Sequence, residues 1–233
     1  MAIYGGPDIV TSGLVLCLDA GNNKSYSGSG TTWYDLIGNN NATLVNGVAY
    51  NSANGGFLTF DGVNDYVLAN NISLNSAFSS TSVSHFTWVY PISPGQIVVE
   101  LGQTTINNGW HDSNIEISSG GVFSFSTWHG TFANKVISTQ SFNAWYYVGF
   151  TYNGTTLTAY INGTSVGATT FTRTAPYNNG YQTHYALCAT DSTNMGTQGY
   201  AGARISRFSV YNRALSAQEI QQNYNAIKGR FNL

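Results

Sequence analysis

Apolar residues in this chain recur mostly in short runs with a period of two, broken by clusters of Gly, Asn, Ser and Thr. That is the pattern of many short antiparallel strands. GLVLCLDA at 13–20 reads as a buried first strand. Trp33 to Gly38 reads as a tight corner, and 42–48, 57–60 and the stretch after Tyr66 read as further strands. FTWVY at 86–90 is expected to stop at Pro91, where a missing N–H ends central pairing. Strands are also predicted at 97–101, 114–118, 122–127, 145–152, 155–161, 164–171, 184–189 and 203–211. Asn153-Gly154 and Asn162-Gly163 divide 145–171 into three runs. Asn-Gly takes the positive φ angles of a two-residue hairpin turn, which predicts a three-strand meander. A dozen or so short strands exceed what one open sheet holds, so the expected architecture is all-β, two packed antiparallel sheets.

The period changes once, near the C-terminus, where a helix is predicted over about 216–228. Ser216 and Glu219 have capping-box spacing, Leu215 and Ile220 can form a hydrophobic staple, and Gly229 is the expected C-terminal cap. Ile220, Tyr224 and Ile227 share the face expected to dock on the sandwich, with the Gln/Asn face in water. Residues 1–12 form an N-terminal arm, too apolar for a free tail, that would dock on a neighbouring subunit or on the domain itself. Residues 13–233 are expected to form one domain.

Composition narrows the functional classes. Charged residues are only 8% of the 233, and net charge is −2 with eight Lys and Arg in all. The basic residues are scattered, which argues against nucleic-acid binding. No apolar stretch is long enough to span a bilayer, and MAIYGGPDIVTSG lacks the features of a secretory leader. Cys17 and Cys188 each lie in an apolar run and read as buried free thiols. The 16 tyrosines suit either a large core or a wide contact surface.

Several motifs together resemble the laminin-G-like, or concanavalin A-like, jelly-roll domains. They are GLVLCLDA, FLTFDGVNDYV, FTWVYP, the WYYVGFTYNGTTLTAYINGTSVG meander and RISRFSVYNRALSAQEIQQNY, spanning about Gly13 to Arg230. The resemblance implies a two-sheet antiparallel jelly roll with one short C-terminal helix and binding sites on rim loops. It does not imply one activity, since this fold carries lectins, hydrolases and structural modules. The opening phrase and the Asn/Ser/Thr/Gly-rich surface also resemble structural proteins of tailed phages, including cyanophages. That likeness implies a non-enzymatic virion protein on the head surface as a decoration or cement module, or in the tail or fibre. Such a protein would be made in the host cytoplasm and contact capsid or tail proteins and itself as a homo-oligomer. The alternative is a lectin-like module that adsorbs to host glycans.

Candidate chemistry is sparse. The hydrolases of the jelly-roll family that this chain resembles usually carry Glu-x-Asp-x-x-Glu or a close variant on one strand, and Glu100, Glu116 and Glu219 show nothing of that kind. No cofactor is required by any motif. Asp61, Asn64 and Asp65 could ligate calcium, although Asp-Gly-x-Asn-Asp is equally turn chemistry, and the acidic residue that the family places in the late strand is replaced by Ser206. Trp110 with His111, and Trp128 with His129, put aromatic faces beside polar groups, as sugar binding requires; core or interface anchoring is the competing reading.

Overall fold

The computed structural model describes residues 7–38, 40–70, 82–101, 111–127, 135–172, 184–189 and 199–233. The strands are β1 (Leu14–Asp19), β2 (Thr32–Trp33), β3 (Ala42–Val45), β4 (Ala49–Asn51), β5 (Phe57–Asp61), β6 (Tyr66–Asn70), β7 (Ser82–Pro91) and β8 (Gly95–Leu101). They continue as β9 (His111–Ile117), β10 (Val122–Thr127), β11 (Val136–Thr139), β12 (Tyr146–Asn153), β13 (Thr156–Ile161), β14 (Thr164–Thr170), β15 (His184–Leu187) and β16 (Gly202–Tyr211). One α-helix, α1 (Ala217–Ile227), follows, with a 3-10 turn at Lys228–Phe231. Among the described residues the strands form two antiparallel sheets. Sheet A has the order β14-β13-β12-β7-β16-β5-β4, and sheet B the order β11-β10-β9-β8-β15-β6-β3-β2. The long strand β16 serves β5 along its first half and β1 along its second, with a register shift between Ile205 and Arg207. The expected two-sheet jelly roll is the observed fold.

The main core lies between the sheets. Val83 and Val89 of β7, Val148 and Phe150 of β12, Ile115 and Ile117 of β9, and Phe123 and Phe125 of β10 all belong to it. A second apolar cluster covers the outer face of sheet A: Phe86 and Trp88 of β7 meet Leu215, Ile220 and Phe231. Trp88 is completely buried and lies 4.5 Å from the Phe231 ring and 5.6 Å from that of Tyr224. Sheet A is therefore covered on both faces, which explains why β7 reads as an almost continuous buried run rather than an alternating one.

The helix starts as its sequence predicts. The Ser216 side chain accepts from the Glu219 N–H, and the Glu219 carboxylate accepts from the Ser216 N–H at 2.8 Å. Arg213 grips the same carboxylate with both terminal nitrogens, at 2.9 and 2.5 Å. Its end differs from expectation. The chain runs from α1 straight into the 3-10 turn, and Asn232, with φ 59°, takes the left-handed position in place of Gly229. The polar face is not wholly wet either. Asn223 is buried; its Oδ1 accepts from the Val10 N–H at 2.8 Å and its Nδ2 donates to the Tyr211 hydroxyl at 3.0 Å. Tyr211 donates to the Val10 carbonyl at 2.9 Å, and Gln222 to that of Asp8 at 2.7 Å. The described part of the N-terminal arm thus docks on its own domain; residues 1–6 lie outside the described residues.

The meander forms, but its two turns differ. Ile161 pairs with Thr164, so Asn162 (φ 52°) and Gly163 (φ 80°) make the predicted two-residue turn. At the first turn Tyr152 pairs with Leu157, a wider loop in which the Asn153 side chain accepts from the N–H groups of Thr155 and Thr156 at 3.1 and 2.9 Å. Both cysteines are free and buried, as expected. No helix among the described residues is long and apolar enough to cross a membrane.

Candidate functional site

On β9 and β10 the side chains alternate strictly. Ile115, Ile117, Phe123 and Phe125 enter the core, which turns Asn114, Glu116, Ser124 and Ser126 to the outer face of sheet B. The register aligns them: Ser124 lies opposite Glu116 and Ser126 opposite Asn114, while Gln96 of β8 lies opposite Glu116 on its other side. They form a hydrogen-bonded ladder. Gln96 donates to Glu116 Oε2 at 2.9 Å, Asn114 donates to Gln96 Oε1 at 3.3 Å, and Ser126 donates to Asn114 Oδ1. Gln96, Asn114, Ser124 and Ser126 are buried, whereas Glu116 keeps 20% side-chain exposure with Lys135 4.0 Å away. Ser124 Oγ is buried without a hydrogen-bond partner among the described residues.

An apolar floor adjoins this ladder on the same face. Tyr66 and Leu68 of β6 pack with Val99, Ala186 and Tyr200. The Tyr66 and Tyr200 rings are 6.3 Å apart, and Tyr200 bridges to Gln96 through the backbone. Burial, with Tyr66 beside it, raises the Tyr200 hydroxyl above its ordinary pKa, so it stays a neutral donor and acceptor. Amides, a carboxylate and hydroxyls next to tyrosine rings are the set that meets a polyhydroxylated ring: planar groups for adjacent hydroxyls, aromatic faces for C–H bonds. No local motif signals this site. Its trace in the sequence is the period-two alternation in NIEI and FSFS, which places polar residues in register on neighbouring strands.

The Asp61–Asp65 segment is the turn between β5 and β6. Asp61 Oδ1 accepts from the N–H groups of Val63, Asn64 and Asp65 at 2.8, 3.2 and 3.4 Å, and these bonds, that of Val63 foremost, hold its carboxyl below the usual range. The buried Asp65 accepts from the Gly47 N–H at 2.6 Å and from that of Asp61 at 3.3 Å. Asp61 Oδ1 and both Asp65 oxygens are thus turned onto backbone donors, which close the turn. Among the described residues no group of three or more His, Cys, Asp and Glu could hold a metal ion. Ser206 lies four residues along β16 from Gly202, the partner of Asp61, and donates to the Gly56 carbonyl at 2.7 Å. Trp110, Trp128 and His129 lie outside the described residues; His111 opens β9, opposite Leu101.

One polar cluster that sequence reasoning missed lies inside the core. His85 of β7 in sheet A meets three side chains of sheet B: Tyr185 OH 3.0 Å from Nε2, Ser113 Oγ 3.3 Å from Nδ1, and Glu100 Oε2 3.8 Å from Nε2. Ser113 donates to Glu100 Oε2 at 2.6 Å. Each of these residues is at most 1% exposed. A Ser-His-Glu grouping sealed this deeply can tie the sheets together but cannot meet a substrate from solvent.

Comparison with solved structures places these features among proteins of similar fold. Trypanosoma rangeli sialidase in complex with sialic acid superposes with a TM-score of 0.69 at 16% identity, over 95% of this chain and 34% of the sialidase. Botulinum neurotoxin type C, whose uptake into cells depends on interaction with two ganglioside molecules, superposes at 0.66 with 16% identity, over 92% of this chain and 51% of that chain. The binding domain of botulinum neurotoxin DC in complex with rat synaptotagmin II gives 0.64 at 16%, over 92% and 52%. This chain thus spans about a third of the sialidase and about half of each toxin chain. At such identities the likeness is one of fold, and the fold is shared by an enzyme and by binding domains. No curated protein matches the chain. The family model of the concanavalin A-like lectin/glucanases superfamily matches residues 61–221. That match covers more than half of the sequence and runs from the β5–β6 turn through both sheets into α1, and the protein therefore belongs to the concanavalin A-like lectin/glucanases superfamily.

Proposed function

We propose that this protein is a glycan-binding module whose contact surface is the outer face of sheet B. The observation that carries the reading is the ladder Glu116–Gln96–Asn114–Ser126 beside the Tyr66–Tyr200 pair. The buried amides fix the orientation of Glu116, and the partly exposed carboxylate and tyrosines reach the sugar. Structural neighbours that bind sialic acid or gangliosides support a carbohydrate role for the fold. Binding is proposed without hydrolysis. A glycosidase needs two carboxyl groups about 5–9 Å apart across the scissile bond. Among the described side chains, Glu116 faces this surface, while Glu100, on the neighbouring strand, faces the core.

A glycan array probed with the purified protein, with and without added calcium, tests the proposal. Binding is expected without calcium and is expected to weaken at least tenfold in Glu116→Ala, with the thermal transition retained. No bound glycan under either condition would reject it. The virion role expected from the sequence is compatible with this reading but gains no support from the comparisons. Mass spectrometry of purified phage particles is its test.

A further inference from the structure

A second concavity adjoins the ladder at the corner of the sandwich, between the β9–β10 turn and the β11–β12 connection. It is an open groove of about 580 Å³ lined by the turn residues Ser119, Gly120 and Gly121 and, across from them, by Thr139, Gln140 and Phe142. The backbone holds it rigidly. Gly121 has φ 74°, donates to the Ser118 carbonyl at 2.9 Å and accepts from the Gln140 N–H at 2.8 Å, and a Cβ there would strike the Gln140 carbonyl. On the opposite wall the Tyr146 hydroxyl donates to the Ser141 carbonyl at 3.1 Å, and Phe142 packs its inner side against the main core.

Three properties bear on what would occupy this groove. Among the described residues its polar walls are hydroxyls and an amide, with no acidic or basic side chain to pair with a charged ligand. Phe142 adds one apolar wall. Finally, the groove continues the surface that carries the ladder: Ile137 lies opposite Ser124, and Thr139, two residues further along β11, lies opposite Val122. Ile137 is two strands across from Glu116, and with two further residues along β11 Thr139 lies about 12 Å from it, beyond the reach of a single sugar ring.

We infer that this groove is a second subsite for the same glycan, taking a neutral sugar unit further along the sugar chain from the one held at Glu116, so that the ligand is an uncharged oligosaccharide rather than a single terminal residue. The inference rests on the glycan-binding reading above. Gly120 provides the test, because it lines the groove, is exposed, has φ outside the left-handed region, and a Cβ there would meet, among the described residues, only Val122 Cγ2, at 3.8 Å. Gly120→Trp therefore brings an indole to the lining of the groove without straining the turn.

Calorimetric titration of the wild-type protein and Gly120→Trp with neutral gluco-, manno- and galacto-oligosaccharides of one to four units, and with an oligouronate series, separates the outcomes. In the wild type, affinity is expected to rise at least tenfold from one unit to several neutral units. Gly120→Trp is expected to lose that rise and to retain the affinity for one unit. Equal affinity for short and long glycans, an unaffected Gly120→Trp, or tighter binding of the oligouronates would overturn the second subsite while leaving glycan binding in place. Failure of the wild-type protein to bind any sugar would overturn both.

Discussion

Single carboxylates do an unusual share of the fastening in a chain with so few charges. Asp35 accepts from the backbone N–H groups of Cys17, Ile37, Gly38 and Asn40 at 2.9 to 3.4 Å, fixing the corner after β2 against β1. Hydrogen bonds to an ionised group are worth about 1.5–3 kcal/mol each at the upper end, and those sharing one carboxylate are not additive. Asp35→Ala is therefore expected to lower unfolding stability by about 3 kcal/mol, read as a lower urea midpoint at unchanged slope. Glu219 supplies a pH-dependent counterpart. Its hydrogen bonds with Arg213, chiefly, bring its carboxyl down to about 2 from an ordinary 4.5. The folded state thus keeps the anion where the unfolded chain has taken up a proton. The stabilisation is complete above pH 4.5 and is lost as pH falls toward 2. Both partners are about 30% exposed, which reduces the effect to about 1 kcal/mol at neutral pH. Glu219→Gln should show that deficit in urea titrations at pH 7 and almost none near pH 2.

Turns and caps decide how elements meet, and they show where local sequence suffices. Asn162-Gly163 behaves as its composition dictates because both residues can adopt positive φ and the Asn162 side chain accepts from the Tyr147 N–H of the neighbouring strand rather than from the turn itself. Gly163 also lies under α1, where a Cβ would come within 2.9 Å of Gln221 Oε1. Gly163→Ala is expected to cost about 1–2 kcal/mol in chemical denaturation, from backbone strain and that contact together. Asn153-Gly154 carries the same dipeptide, yet the Asn153 side chain captures two downstream N–H groups and widens the loop, an outcome set by hydrogen-bond competition that a dipeptide rule does not contain. Likewise Gly229 is passed over as a cap because Phe231 must reach Trp88 and Trp145, and the chain stays helical until it does. The longer strands and the helix were legible from periodicity alone. The strands β2, β4 and β11, of two to four residues, were not, since so short a run carries no period; β3 and β15, equally short, were legible only inside longer runs at 42–48 and 184–189. The candidate ladder was half legible, as alternation without a register. The His85 cluster was invisible, its members being spread over residues 85–185 and joined only when the sheets close.

At the scale of the molecule, that cluster bonds the two sheets to each other by polar contacts across the core. Removing the imidazole takes a partner from Tyr185 and Ser113 and leaves Glu100 in a less polar surrounding. His85→Leu is expected to destabilise the sandwich by about 2–4 kcal/mol. The loss should appear as one cooperative shift of the thermal transition, followed by far-UV and near-UV circular dichroism alike. Glycan affinity measured well below the new transition should be unchanged, since the cluster lies on the inner side of sheet B. A wild-type-like transition would show that the polar contacts are incidental to the joining of the sheets.

The segment Asp8–Val10, though more than 200 residues from α1 in sequence, is hydrogen-bonded to it, and both lie over sheet A. The face proposed for glycans is on the other side of the sandwich, two sheet thicknesses away. A tether joined near either of these points leaves from the back of the domain. Held by such a tether to a larger assembly, a bead or a sensor surface, the module would point the proposed sugar face outward, and many copies side by side would then present an adhesive layer whose grip comes from their number.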